Sequence, residues 1–308
     1  MSSTIALMGE CMIEMHGRPG HSVHQTFGGD SFNTAAYLAR LAGNDLNVEY
    51  VTALGTDGFS QAMRERFVRE GVGVDNVRTL ESRLPGLYFI EADDAGERRF
   101  HYWRSEAAAR FMFDGDEGGQ LLERLAHSDT IYLSGISLAI LTEEGRERLL
   151  AGLPGIRARG VNVVFDNNYR PRLWQDVEKA RQAHQALLAQ VDLAIVTFED
   201  DQALFGFETP EALFAFYHDR GVSEIVIKRG AESCLIECEG MRHEVAGERV
   251  EKVVDTTAAG DSFSAGYLAC RLTGGDVEQA ARWGHRLAST VIGHRGAIIE
   301  LEHMPEMP

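Results

Sequence analysis

No stretch of this 308-residue sequence approaches the roughly 20 consecutive apolar residues that a membrane-spanning helix needs. Its first residues lack a basic segment running into a long apolar one, so no secretory signal is read and a cytosolic location is expected. Cysteine is scarce. Cys11, Cys234, Cys238 and Cys270 form no Cys-x-x-Cys pair and have no histidines at zinc-ligand spacing, so reduced, buried thiols are expected instead of a zinc site. Basic residues are also in deficit: 30 Lys and Arg face 47 Asp and Glu, for a net charge of −17. Such a chain repels nucleic acid and anionic membranes, so any anionic ligand must be held by local cations. Several signatures are missing too. There is no Gly-x-x-x-x-Gly-Lys-Ser/Thr loop, no His-Glu-x-x-His and no Gly-x-Ser-x-Gly, and Gly71-Val72-Gly73 lacks the third glycine of a dinucleotide fingerprint.

What is present is a large alternating core. Hydrophobic residues make up 44% of the chain, and a chain of this length buries roughly three quarters of its unfolded surface. Residues 5–8, 48–54, 131–133, 161–165, 193–196 and 224–227 are short apolar runs with helical patterns between them. That order predicts an α/β fold with a central, mainly parallel sheet between helices. The runs end in polar residues or glycine, among them Gly9-Glu10, Ser134-Gly135, Asp166-Asn167-Asn168, Thr197 and Lys228-Arg229-Gly230. Ligands of open α/β sheets bind beyond the carboxyl ends of the strands, so these ends are expected to line a site. Gly28-Gly29 precedes a helical stretch that Asp30 or Ser31 is placed to cap. Residues 86–104 break the rhythm: 87–90, the turn Asp93-Asp94-Ala95-Gly96 and 99–103 read as a β-hairpin. The expectation is one domain over residues 1–308 with a small β lid formed by roughly 11–25 and 86–104.

The densest chemistry is Asp255-Thr256-Thr257-Ala258-Ala259-Gly260-Asp261, followed by Ser262-Phe263-Ser264-Ala265-Gly266. Small residues let a ligand approach the backbone, and a helix starting here aims its N–H groups at an anion such as phosphate. Asp261 stands beside that anion site, placed to take a proton from a hydroxyl. Together they point to phosphoryl transfer to an alcohol. Read alone, Asp261 is an N-cap, and Asp255 either holds Thr256 and Thr257 in a turn or binds a cation. Lys228-Arg229-Gly230-Ala231-Glu232-Ser233 is a cationic loop suited to a nucleotide, or a solvated turn. Asp166-Asn167-Asn168-Tyr169-Arg170-Pro171-Arg172-Leu173-Trp174 carries two arginines that can clamp an anion or make surface salt bridges. In residues 98–104, Tyr102 and Arg104 share a strand face and suit a lid over a small polar anion. The overall acidity argues against single-stranded nucleic acid at these aromatics. Gly28-Gly29-Asp30-Ser31-Phe32-Asn33 can set amides and side chains against sugar hydroxyls, or form a plain helix entry.

Assembled, these residues resemble the ribokinase-type (PfkB) sugar kinases over essentially the whole chain. The resemblance includes Gly28-Gly29 with Asn33, and Asp255-Thr256 with Gly260-Asp261; Ala258 stands where the family's D-T-x-G-A-G-D motif has its first glycine. Gly9-Glu10-Cys11-Met12-Ile13-Glu14, Arg83-Leu84-Pro85-Gly86-Leu87-Tyr88, Tyr102-Trp103-Arg104 and residues 166–174 are similar to the branch that acts on 2-dehydro-3-deoxygluconate. The resemblance implies a ribokinase-like three-layer α/β/α fold with a small β-sheet lid, and a homo-oligomer formed through that lid. It implies ATP-dependent phosphorylation of 2-dehydro-3-deoxygluconate at the 6-hydroxyl, with ATP and Mg²⁺ required and K⁺ a candidate third cofactor.

By position, Asp261 resembles the catalytic base, and Ala258, Ala259 and Gly260 resemble the anion hole that meets ATP. Asn168, Tyr169 and Arg170, with Lys228, Arg229, Gly230, Ala231, Glu232 and Ser233, resemble nucleotide contacts. Gly28, Gly29, Asp30, Ser31, Phe32, Asn33, Tyr88, Tyr102, Trp103, Arg104 and Arg170 resemble sugar-acid contacts. Asp255 and Thr257 resemble part of a monovalent-cation site, and Asp200 stands at the family's N-x-x-E position, where it would reach magnesium through water. Two other readings keep the fold: another sugar kinase such as fructokinase, or a non-catalytic sugar- or nucleotide-binding regulator. Arg104 and Arg170 speak against the first, and the retained Asp261 against the second.

Overall fold

The computed structural model describes residues 2–92 and 98–307. The expected turn at Asp93-Asp94-Ala95-Gly96 lies outside the described residues. The chain opens with strands β1 (Ser3–Met8), β2 (Met12–Gly17) and β3 (Val23–Gly28), then helix α1 (Asp30–Ala42), β4 (Leu46–Leu54), α2 (Gly58–Arg69), β5 (Val77–Thr79), β6 (Leu87–Ala92) and β7 (Arg98–Trp103). It continues with α3 (Gly115–Leu125), β8 (Thr130–Ser134), α4 (Gly135–Ile140), α5 (Glu143–Arg157), β9 (Asn162–Asp166), α6 (Val177–Leu188), β10 (Leu193–Thr197), α7 (Phe198–Phe205) and α8 (Pro210–His218). The last elements are β11 (Glu224–Lys228), β12 (Cys234–Cys238), β13 (Met241–Val245), α9 (Ala259–Leu272) and α10 (Val277–Val291).

Nine strands form one sheet in the order β13-β12-β11-β10-β9-β8-β1-β4-β5. Neighbours from β11 to β5 are parallel, and β12 and β13 add antiparallel at one edge. Alternate side chains enter two cores, as a period of two requires. Ile5, Leu7, Tyr132, Val164, Ile195 and Val226 pack on one face with residues of α1, α9 and α10. Ala6, Met8, Ile131, Leu133, Phe165 and Ile227 pack on the other with residues of α3, α5, α6 and α8. Each fully buried large side chain contributes about 1.5–3 kcal/mol. The four thiols are free, three of them buried. No helix among the described residues is long and apolar enough to cross a membrane.

The chain passes from β1 outward to β4 and β5, then returns to the other side of β1 at β8. The crevice where strand order reverses is where such sheets bind ligands. A second, four-stranded sheet, β3-β2-β6-β7, takes its first two strands from the chain between the carboxyl end of β1 and the start of α1. Its strands begin and end a few residues from the expected ones: residues 11–25 were expected, and Met12–Gly17 and Val23–Gly28 form. The helix-entry expectation is corrected. Gly29 occupies the N-cap of α1 without a side-chain cap bond, and Asp30 is the first helical residue. The carboxylate of Asp30 reaches across to Ser134 at the end of β8.

Candidate active site

The carboxyl ends of β8, β9, β10 and β11 converge on the starts of α1 and α9. In α1, Asp30, Asn33 and Thr34 fall on one face because residues i, i+3 and i+4 align. Asn33 Nδ2 donates to Asp261 Oδ2 at 2.8 Å, and Thr34 Oγ1 donates to the carbonyls of Asp30 (3.0 Å) and Asp261 (3.3 Å). Asp30 Oδ2 accepts from Ser134 Oγ and from Asn168 Nδ2, the latter at 2.9 Å. Ser31 and Phe32 lie on the other side of the helix. Ser31 Oγ meets Tyr50 Oη at 2.9 Å, and the Phe32 ring packs with Tyr50 and Phe67, so both belong to the core and not to a sugar surface.

Asp261 is the third residue of α9, whose N-cap is Ala258. It is therefore not the helix cap. Ala258 holds φ 61°, ψ 17°, the left-handed region that glycine takes without strain. The Ala259 N–H donates to Thr256 O at 3.2 Å. The later first-turn amides, Gly260 and Asp261, have no i−4 partner inside the helix, and Gly260 borders a cavity. Burial, with the charge of Asp30 second, pushes the Asp261 carboxyl up to about 7; Asn33 and Lys228 pull against this. The activity of a base with this carboxyl should rise with pH through about 7 in kcat/KM and level off above it. Folding stability should respond in the opposite sense. A carboxyl raised from 3.8 binds its proton more tightly when folded, so its contribution is complete below about pH 4 and is lost as pH climbs through about 7. A pH–rate profile beside thermal melts over the same range checks both.

A cavity of about 550 Å³ adjoins Gly260. Lys228, Arg229, Gly230 and Ala231 line one wall, as expected of the cationic loop. Glu232 and Ser233 lie beyond it: Glu232 is an exposed partner of Arg229, and Ser233 is tied to Arg229 and Glu244. Tyr169 also departs from the expected nucleotide role. Its ring is buried with Ala180 and Leu204, and its N–H donates to Asp200 Oδ2 at 3.2 Å. Asn168, at φ 25°, reaches Asp30 and so belongs to the α1 side of the cleft. Arg170 is half exposed, with its guanidinium 3.4 Å from Asp200. Burial raises the Asp200 carboxyl, and Arg170 lowers it in part. Both carboxylate oxygens of Asp255 accept bonds: Oδ1 from the Thr257 amide and hydroxyl (3.1 and 2.7 Å), Oδ2 from Gly296 N (3.2 Å).

The small sheet contributes Tyr88 and Tyr102, and Arg104 directly follows its last strand. Tyr88 and Tyr102 are register partners whose rings stack at 5.8 Å. The Tyr88 hydroxyl donates to Glu14, and Gly28 lies beneath both groups, 3.0 Å from each as measured from an added Cβ. Arg104 pairs with Glu10, which is wholly buried. Burial pushes the Glu10 carboxyl up and Arg104 pulls it down. Trp103 is 62% exposed and, one residue from Tyr102 on a strand, faces away from Tyr88.

Several residues escaped the sequence reading. Glu10 was quoted only as part of a motif, yet it holds Arg104. Ser134 caps α4 and also grips Asp30; its only sequence signal was a polar residue at a strand end. Gly247, Val250, Val253, Phe263, His285 and Ile292 line the cavity. Their apolar spacing reads as ordinary helix and loop, so no sequence signal marks them.

Comparison with known proteins agrees with this geometry. Residues 2–304 match the pfkB family carbohydrate kinase profile. The chain is 51% identical to the 2-dehydro-3-deoxygluconokinase of Dickeya dadantii (strain 3937), over 99% of each chain. It is 52% identical to the enzyme of that name from Escherichia coli (strain K12), over 99% of this chain and 100% of that one. An Escherichia coli protein solved in complex with ATP and Mg²⁺ shares the fold at a TM-score of 0.82, with 21% identity over 99% of this chain and 96% of that one. A mainly parallel sheet, a carboxylate in the first turn of α9 and this full-length likeness lead to one conclusion: the chain belongs to the pfkB family of carbohydrate kinases.

Proposed function

We propose that this protein phosphorylates 2-dehydro-3-deoxygluconate at its 6-hydroxyl, using ATP and releasing ADP. One observation carries the chemistry: the Asp261 carboxylate, held by Asn33, stands in the first turn of a helix whose Gly260 borders the cavity. Asp261 takes the proton of the attacking hydroxyl, and the α9 N-terminus meets the charge growing on the phosphoryl group. The cavity beside Gly260 suits the nucleotide. Lys228 and Arg229 lie towards the phosphate end, while Phe263, Val253 and Ile292 offer an apolar wall to the base.

Asp30 and Asn168 receive sugar hydroxyls, and the small sheet with Tyr88, Tyr102 and Arg104 closes over the sugar acid as a lid. Exposed Trp103 and Val23 on the sheet's other face support self-association through it. Among the described residues no cluster of three or more His, Cys, Asp or Glu could hold a metal. That fits Mg²⁺, which keeps several waters and rides on nucleotide phosphates, with the half-buried Asp200 carboxylate as a hard oxygen donor that would reach it through water. The ion supplies neutralisation of the donor phosphates when bound. Asp255 and Thr257 are turned to each other and to Gly296, which supports a loop-tying role, and no step is assigned to K⁺.

Specificity for an acid rests on Arg104. A charge-assisted bond contributes about 1.5–3 kcal/mol, so Arg104→Gln should raise KM for the sugar acid roughly 10- to 100-fold with a smaller change in kcat. Because that variant strands the buried Glu10, the double variant Glu10→Gln/Arg104→Gln is the better probe. Steady-state kinetics on both variants checks this. Wild-type KM in the double variant would remove the carboxylate role of Arg104.

A further inference from the structure

Lys228 closes β11, and its ammonium is buried under the first turn of α9. Its Nζ donates to Asp166 Oδ2 at 2.8 Å and lies 3.4 Å from Ser264 Oγ. Ser264 Oγ in turn donates to the same Asp166 oxygen at 2.8 Å. A Cβ built on Gly260 would stand 3.5 Å from Nζ, so the ammonium sits directly against a first-turn residue that lines the same cavity. An ammonium carries three N–H donors. Asp166 and Ser264 engage two, which leaves one for a ligand on the Gly260 side, where Lys228 lines the cavity wall. A buried ion pair is a poor way to stabilise a fold, since apolar side chains of similar volume often do as well or better.

We propose that Lys228 is a catalytic residue whose ammonium contacts the phosphoryl group during transfer, with Asp166 and Ser264 as positioning residues that aim it. This rests on the kinase reading above. In the step, the bond from the terminal phosphorus to the bridging nucleotide oxygen breaks as the bond to the sugar oxygen forms. The sugar proton goes to Asp261, the electron pair leaves with ADP, and Lys228 keeps its protons throughout. Lys228 has a second effect on the same step. Its charge pulls the Asp261 carboxyl down, offsetting part of the rise caused by burial and by the charges of Asp30 and Asp166.

The test compares wild type, Lys228→Met and Lys228→Met/Asp166→Asn, in ADP release with 2-dehydro-3-deoxygluconate and Mg-ATP across pH, with melting temperatures. The double variant removes both charges, so it leaves no lone buried ion. Loss of one transition-state donor typically costs 10²–10³ in kcat, and roughly 100-fold is expected in both variants. The acid limb of kcat/KM should move to higher pH in Lys228→Met. In the double variant it should return towards the wild-type position while kcat stays low, because one charge that lowers the base and one that raises it are both gone. A folded double variant with wild-type kcat would make the pair purely structural and overturn the proposal. Absence of turnover in the wild type itself would instead overturn the kinase reading, and the proposal with it.

Discussion

Asp261→Asn should lower kcat by about 10²–10⁴, the range a general base supplies, while ATP affinity changes by less than a few-fold. The substitution is close to isosteric. The new amide oxygen can still accept from Asn33 Nδ2, so the α1–α9 contact survives. What is lost is the ability to take a proton. The folded state should not weaken, because a carboxyl that burial and Asp30 disfavour has been replaced by a neutral group. At pH 8 the variant should melt at or above the wild-type temperature. Single-turnover kinetics with ATP-binding calorimetry separates the two steps. A variant with near-wild-type kcat would remove Asp261 from the base role.

Gly29→Ala should cost roughly 1–3 kcal/mol of stability and about 100-fold in kcat/KM. The reason is not backbone freedom, since Gly29 is extended at φ 169°. It is close approach. A Cβ there would stand 2.1 Å from the Glu10 carbonyl oxygen and 3.2 Å from Cys11 Cα. These are backbone atoms of the β1–β2 link, which cannot rotate aside. Either the link or the start of α1 must move. The first carries Glu10 and so Arg104; the second carries Asp30 and Asn33. Gly58→Ala is the control, because its added methyl meets nothing within 4 Å. It should change the melting temperature little and the kinetics not at all. If Gly29→Ala behaves like Gly58→Ala, the tight contact does not organise the site.

The sequence made the strand-and-helix rhythm legible because both faces of the central strands are apolar and their ends are polar or glycine. Asp261 was legible for a related reason: small residues followed by a carboxylate at a helix start have few structural uses. The glycine pair at 28–29 was legible too, although its cause, contact with Glu10 and Glu14, needed coordinates. Side-chain direction was not legible. Ser31, Phe32 and Trp103 neighbour site residues in sequence, but helix and strand periodicity turns them elsewhere. Partnerships across the chain were equally hidden. Asn168 with Asp30, Lys228 with Asp166 and Arg104 with Glu10 join residues 138, 62 and 94 positions apart, which no local pattern encodes.

The central claim is that a sugar-acid hydroxyl is the phosphoryl acceptor. ADP release by the purified wild-type protein with Mg-ATP tests it most directly, across 2-dehydro-3-deoxygluconate, its galactonate epimer, gluconate, fructose and ribose. The account predicts turnover of the 2-dehydro-3-deoxy acids well above that of the neutral sugars, through the Arg104 end of the cleft. Turnover confined to fructose or ribose would contradict it, leaving Asp261 as the base of a different sugar kinase.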